Sequence, residues 1–262
     1  MSAVIIIPAR YASSRFPGKP LHSLKGASGI AKPLIQHAWD AAMRVPNIDA
    51  VYVATDDERI KSAAKSFGAS VIMTDPECRN GTERCAQAMI NENIDADVII
   101  NFQGDAPLTP PWFVTDLVNA MQLDSSAKMA TPVLKMDLKT LMQFKEDRSK
   151  GLVGGTTAVF DYHHNALYFS KEVIPYCDAN VLASEHLPNF YHHVGVYAYK
   201  PSVLKNYLSW QESHLESLEG LEQLRFLAHG CVVKCVEVDA QGRNFWELNN
   251  PSDVSLVEPS LS

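Results

Sequence analysis

The sequence is short of several things, and each shortage closes a class of reading. No apolar run approaches the roughly 20 residues that a membrane-spanning helix needs. The N-terminal run Val4-Ile5-Ile6-Ile7 ends in Pro8-Ala9-Arg10 and is too short for a signal-peptide core. A cytoplasmic protein with no membrane attachment is expected. Basic residues are outnumbered, 23 Lys and Arg against 30 Asp and Glu, for a net charge of -7. That argues against a nucleic-acid partner, because non-specific binding draws its affinity from cations that neutralise phosphates. The five cysteines, Cys78, Cys85, Cys177, Cys231 and Cys235, are odd in number and fit no zinc ribbon or CxxC pair. They read as packing residues. There is no internal repeat, no low-complexity tract and no GxxxxGK[ST] phosphate loop. What is present is ordinary globular composition, 46% hydrophobic and 20% charged over 262 residues. Such a chain can bury a core without a disulfide or a structural metal.

The first 110 residues alternate strand and helix patterns. Val4–Ile7 is a continuous apolar run, as in a strand buried on both faces. Helical spacing follows over 32–44, then a strand over Ala50–Thr55. A helix over Glu58–Phe67 is stopped by Gly68, and a strand follows over Ser70–Met73. A helix over Thr82–Glu92, a strand over Asp97–Phe102 and a helix over Pro111–Met121 complete the series. This rhythm predicts an α/β fold with a mainly parallel, doubly wound sheet. Ligands of such sheets bind beyond the C-terminal strand ends, where Arg10–Lys19, Asp56-Asp57 and Gln103–Asp105 fall. The second half is less regular. Met129–Leu134, Thr156–Phe160, Ala166–Ser170, His193–Tyr199 and Val232–Val238 have strand character. Val203–Leu208 and Leu218–Ala228 look helical, Asn250–Val257 starts a short last helix, and the polar run Lys135–Lys150 reads as an excursion or loop. One domain over 1–262 is expected. Its first half spans about 1–134, a smaller inserted lobe about 135–215, and closing elements 216–262.

The most informative segment is Pro8-Ala9-Arg10-Tyr11-Ala12-Ser13-Ser14-Arg15-Phe16-Pro17-Gly18-Lys19-Pro20-Leu21. It follows a buried strand and carries three cations. Glycine and prolines fix its path, and small residues let backbone N–H groups approach a ligand. That combination suits a polyphosphate.

This segment resembles the signature loop of the bacterial sugar-acid cytidylyltransferases. The resemblance covers nearly the whole chain. It takes in Val53-Ala54-Thr55-Asp56, Asn80-Gly81-Thr82-Glu83-Arg84, Gln103-Gly104-Asp105 and Ala166-Leu167-Tyr168-Phe169-Ser170. It continues through His193-Val194-Gly195-Val196-Tyr197, Leu221-Glu222-Gln223-Leu224-Arg225 and Asn249-Asn250-Pro251-Ser252-Asp253. The resemblance implies a fold similar to the nucleotide-diphospho-sugar transferases, and a homodimer. It implies displacement at the α-phosphorus of CTP by the anomeric hydroxyl of a 3-deoxy sugar acid such as Kdo (3-deoxy-manno-octulosonate), with Mg²⁺. By the same resemblance Arg10 and Lys19 bind phosphates with help from Arg15. Ala9, Asn80, Gly81 and Arg84 form the cytosine and ribose pocket, and Asp105 holds the metal. Gln103, Lys171, His193, Glu222 and Gln223 face the sugar. Each has a plainer alternative: a helix cap for Asn80 and Gly81, a turn for Asp105, packing for His193, a solvated helix face for Glu222.

Four positions depart from the family pattern. Ala106 replaces a Glu, Asn249 a metal-binding Asp, Thr157 a basic residue, and Lys171 an Arg. Asn249 offers an oxygen without charge, so a second Mg²⁺ should bind more weakly there. Glu247, expected on the same face of a strand, is an alternative ligand. Lys171 keeps the charge but not the two-pronged grip on a carboxylate. The nucleotide half matches well and the sugar half has drifted, so an 8-amino Kdo analogue, a nonulosonic acid or another 3-deoxy sugar acid is an open expectation. A CTP-binding protein with an impaired metal site is the alternative that Asn249 raises. A transferase acting on a sugar 1-phosphate is disfavoured by Thr157.

Overall fold

The computed structural model describes residues 1–12, 16–152, 155–178, 189–243 and 245–261. The first half is a run of right-handed strand–helix units: β1 (Ala3–Ala9), α1 (Leu34–Ala42), β4 (Ala50–Thr55), α2 (Glu58–Ser66), β5 (Ser70–Met73), α3 (Gly81–Asn91), β6 (Val98–Phe102) and α4 (Pro111–Leu123). A small hairpin, β2 (Ser23–Lys25) with β3 (Ala31–Pro33), precedes α1. β1 is buried along its whole length because β4 and β6 flank it in parallel. Its side chains alternate between two cores, as a strand with period two must. Ala3, Ile5 and Ile7 meet residues of α1, α2 and α4. Val4 and Ile6 meet Cys85, Ala88 and Met89 of α3. Helices therefore cover both faces, and each buried Ile contributes about 1.5–3 kcal/mol.

The second half comprises β7 (Met129–Lys135), α5 (Leu138–Ser149), β8 (Thr156–Phe160), β9 (Ala166–Ser170), β10 (Tyr191–His193) and β11 (Val196–Tyr199). It continues through α6 (Pro201–Tyr207), α7 (His214–Glu219), α8 (Leu224–Ala228), β12 (Val233–Val238) and α9 (Val254–Val257). Among the described residues one ten-stranded sheet has the order β5-β4-β1-β6-β11-β7-β10-β8-β9, with β12 on the other edge of β7. β1, β4, β5, β6, β7, β8 and β12 run one way; β9, β10 and β11 run the other. A bridge between Asn165 and Lys234 sets the start of β9 against β12, so this part of the sheet curls on itself. Leu24, Leu34, Leu248, Val257 and Leu261 form a separate core that packs the C-terminal segment onto the hairpin. No helix is long and apolar enough to cross a membrane among the described residues.

Three local expectations change. Residues 138–149 are helical, not a loop: Asp137 caps the helix by accepting from Thr140 N–H at 2.7 Å. Leu141 and Phe144 supply its buried side. The helix expected over Leu218–Ala228 breaks where Gly220 turns left-handed at φ 61°, leaving Glu222 in a turn. The expected strand over His193–Tyr199 is two strands. It is interrupted at Val194-Gly195, where β10 stays with β7 and β8 while β11 crosses to β6.

Candidate active site

The phosphate-loop residues leave the C-terminal end of β1. Gly18, at φ 70°, donates its N–H to the Tyr11 carbonyl at 3.0 Å and closes the neck of the loop. Arg59 lies over the Tyr11 ring, 3.4 Å from its centroid, and braces that neck from α2. Lys19 then enters a short turn with its ammonium turned inward. It donates to Asp105 Oδ2 at 2.6 Å and to the Leu248 carbonyl at 2.9 Å. Leu248 N–H in turn donates to the Asp105 carbonyl at 2.8 Å. The start, middle and end of the chain thus meet at Asp105. Arg10 stays exposed, 3.4 Å from the Arg79 carbonyl. Arg15 lies outside the described residues.

A cavity of about 490 Å³ opens here, lined by Ala9, Arg10, Lys19, Asn80, Gly81 and Arg84 among others. Asn80 caps α3, accepting from Glu83 N–H at 2.8 Å, and its amide donates to the Tyr207 hydroxyl at 3.0 Å. It is therefore both cap and cavity wall. Gly81 is there because nothing larger fits. A Cβ would stand 3.0 Å from Gln103 Nε2, 3.3 Å from Pro8 Cγ and 3.4 Å from Asn101 Nδ2. Arg84 is buried against Asp56 at 3.1 Å and Thr74, which fixes its guanidinium at the cavity wall.

A second cavity of about 500 Å³ is lined by Lys171, His192, His193, Glu247 and Asn249 among others. Gln103, Asp105, Tyr197, Gly220, Leu221 and Gln223 line both cavities, so the two meet at the end of β6. Gln223 is 1% exposed. Its Oε1 accepts from the Tyr197 hydroxyl at 3.2 Å, while its Nε2 has no hydrogen-bond partner among the described residues. A buried donor beside a cavity can bond to a water or a ligand there. His193 is buried, and burial together with the neighbouring His192 pushes its pKa down to about 3. Thr131 Oγ1 lies within reach of the Val194 and Val196 carbonyls, which can only accept. It gives its hydrogen to one of them and accepts from His193 Nε2–H at 2.9 Å. His193 is thus a neutral, pinned ring.

Glu222, expected at the sugar, lines the first cavity and not the second. Its carboxylate accepts from Thr82 N–H at 3.0 Å and Gln103 Nε2 at 3.2 Å. Burial pushes its pKa up. Its position follows from the Gly220 break, which swings residues 221–223 against the start of α3. The segment around Glu247 and Asn249 is not a strand either. Asn249 N–H turns back to the Glu247 carbonyl at 3.1 Å, yet the two side chains still meet, Asn249 Nδ2 donating to Glu247 Oε2 at 3.4 Å.

These groups fit a hard divalent cation. Glu247 is half-buried, and desolvation plus the negative charge of Asp105 lift its pKa to about 7. Two crowded carboxylates beside a carbonyl-bearing amide make the oxygen set that Mg²⁺ shares with substrate phosphates and water. Among the described residues no group of three or more His, Cys, Asp and Glu is placed to hold a metal ion.

The sequence reading did not single out Asn101, Tyr197, Tyr207, Glu216 or Arg225. Asn101 is fully buried behind Gly81, and neither of its amide atoms has a hydrogen-bond partner among the described residues. Tyr197 stands at the seam of the cavities. A polar Asn inside the apolar strand Val98–Phe102 was the available signal for the first. Tyr197 and Arg225 lie inside quoted motifs.

A parallel sheet with a cation loop at one strand end and a carboxylate at another is the arrangement of a nucleotidyltransferase. The chain belongs to the cytidylyltransferase family, whose model matches residues 4–235. Among its relatives is the 3-deoxy-manno-octulosonate cytidylyltransferase of Maricaulis maris, 42% identical over 98% of this chain and 96% of that protein. The 8-amino-3,8-dideoxy-manno-octulosonate cytidylyltransferase of Shewanella pealeana is 37% identical over 100% of this chain and 99% of that protein. A solved structure of CMP:2-keto-3-deoxy-manno-octonic acid synthetase complexed with CTP superposes with a TM-score of 0.82. It is 35% identical and the match covers 98% of this chain and 97% of that one.

Proposed function

We propose that this enzyme transfers CMP from CTP to the anomeric hydroxyl of a 3-deoxy-2-keto sugar acid, Kdo or a close analogue, and releases pyrophosphate. The observation that carries the reading is the pair of cavities meeting at Gln103 and Asp105, in a chain similar along its whole length to proteins bearing that name. Arg10 and Lys19 hold the triphosphate, with Lys19 oriented by Asp105 and the Leu248 carbonyl. Ala9, Asn80, Gly81 and Arg84 enclose the nucleoside. Lys171 takes the sugar carboxylate, and the open Nε2 of Gln223 meets a sugar oxygen. The hydroxyl oxygen forms its bond to the α-phosphorus as the bond to pyrophosphate breaks, so positioning and charge neutralisation are the chain's main contributions. Mg²⁺ would be held by Asp105 with Asn249 or Glu247 and would neutralise phosphate charge. A cytoplasmic homodimer serving lipopolysaccharide or capsule synthesis completes the reading. The intact Lys19–Asp105 pair supports turnover over CTP binding alone.

The test is pyrophosphate release by purified protein with CTP and Mg²⁺ over a panel of 2-keto-3-deoxy sugar acids. Release with Kdo or 8-amino-Kdo is expected. No release with any panel member, while CTP binds, would overturn the proposed reaction.

A further inference from the structure

The two cavities share a wall, and the first is lined on one side by Arg79, Glu216 and Arg225, part of a polar network around Tyr207 to which the proposed reaction assigns no role. Tyr207, at the end of α6, is fully buried. Its hydroxyl accepts from Asn80 Nδ2 at 3.0 Å. It stands 3.2 Å from the Glu222 carbonyl and 3.3 Å from Glu216 Oε1, and it donates to one of them. The Arg225 guanidinium covers the Tyr207 ring at 4.2 Å. It grips Glu216 with two bonds of 2.7 Å and reaches Glu83 Oε1 at 3.0 Å. Arg79 closes the set on Glu83 at 2.6 Å. Arg225, Glu83 and Glu216 are buried, while Arg79 is 55% exposed and also reaches Glu212. The paired, buried core of such a network fixes one arrangement of the groups around it.

That arrangement joins two functional edges. Asn80 and Gly81 begin α3 and line the first cavity; Leu221 and Gln223 reach both. The Tyr207 hydroxyl touches Asn80 on one side and lies against the turn that carries Gln223 on the other. We propose that Tyr207, braced by Arg225 and Glu216, is a positioning residue that ties the nucleotide edge at Asn80 to the Glu222–Gln223 turn of the sugar cavity, so that each cavity sets the wall of the other. The proposal rests on the CMP-transfer reading.

Tyr207→Phe keeps the ring beneath Arg225 and removes only the hydroxyl. The expected result is a rise of about 2- to 10-fold in KM for both CTP and Kdo, the scale of one lost hydrogen bond, with kcat changing less. Calorimetric titration with CTP and Mg²⁺ should show the same weakening without turnover. Trp210→Phe is the control. Trp210 meets the Tyr207 and Phe226 rings edge-on, a contact of rings and not of the Tyr207 hydroxyl, so its replacement should lower Tm and leave both KM values unchanged. If Tyr207→Phe lowers Tm but moves neither KM, its role is packing and the proposal is wrong. If KM rises for CTP alone, the tie to the sugar cavity is refuted. If wild type turns over no sugar acid, the CMP-transfer reading fails on its own account. In that case an unchanged CTP affinity in Tyr207→Phe would still refute the link to Asn80.

Discussion

Replacing Gly81 by alanine sets two opposing effects against each other, and the structure decides which wins. Alanine is the better helix former by about 0.5–1 kcal/mol. The new methyl, however, would stand 3.0 Å from Gln103 Nε2, 3.3 Å from Pro8 Cγ and 3.4 Å from Asn101 Nδ2. Pro8 belongs to the central strand β1 and Asn101 is fully buried in β6, so neither can retreat. Gln103 must move, and moving breaks its bond to Glu222 at 3.2 Å. A hydrogen bond to a charged group is worth about 1.5–3 kcal/mol, and crowding adds about 1–3 kcal/mol. Net destabilisation of about 1.5–5.5 kcal/mol results, roughly 2–4 °C in Tm for each kcal/mol. Because Gly81 and Gln103 both line the first cavity, CTP affinity should fall by about tenfold, or about 1.4 kcal/mol. Thermal unfolding and calorimetric titration with CTP measure both effects. Gly68→Ala is the comparison: Gly68 sits at φ 89° with nothing within 4 Å, so it should lower Tm through backbone strain and leave CTP binding intact. A Gly81→Ala protein that melts at or above the wild-type temperature and binds CTP normally would refute the close-approach argument.

Asp105→Ala removes the partner of Lys19 and the carboxylate proposed to hold Mg²⁺; pyrophosphate release should disappear, and retained turnover would take Asp105 out of the mechanism. Asn249→Asp places a carboxylate where an amide now lies 3.4 Å from Glu247 Oε2. It should lower Tm in chelator and enlarge the stabilisation by added Mg²⁺, and an unchanged Mg²⁺ shift would contradict the metal role. His192 and His193 are held neutral, with pKa values pushed down to about 4 and about 3, in both cases first by burial. Their contribution to stability is complete above pH 6.5 and is lost as pH falls from 6.5 toward 3, because only the unfolded chain binds the protons. The slope should reach about 1.4 kcal/mol per pH unit for each histidine, read from urea midpoints between pH 7.5 and 5, and replacing His193 by Gln should flatten it.

The sequence made the parallel half of the fold legible almost residue for residue. Strands buried on both faces read as apolar runs, and the Ala50–Thr55 and Ser70–Met73 bounds stand as expected, as do those of the antiparallel pair Thr156–Phe160 and Ala166–Ser170 in the second half. The helix over 138–149 was hidden because only Leu141 and Phe144 of its twelve residues are buried. The hairpin strands β2 and β3, three residues each, are too short to show a period. For the site, the described residues expected at the nucleotide fall together around one cavity, and Lys171, His193 and Gln223 around the other; Arg15 lies outside the described residues. Glu222 lines the first cavity, a position that depends on the left-handed Gly220. The bonds of Tyr207 to Asn80 and of Arg225 to Glu83 span 127 and 142 positions of chain, so no local pattern could show them.

The account stands or falls on where the α-phosphorus of CTP ends up. Incubation of the protein with CTP, Mg²⁺ and either Kdo or 8-amino-Kdo, followed by mass analysis of the products, should show a CMP–sugar diester and an equal amount of pyrophosphate. Recovery of unreacted CTP and free sugar acid across the panel, from protein that binds CTP and is fully folded, would contradict it.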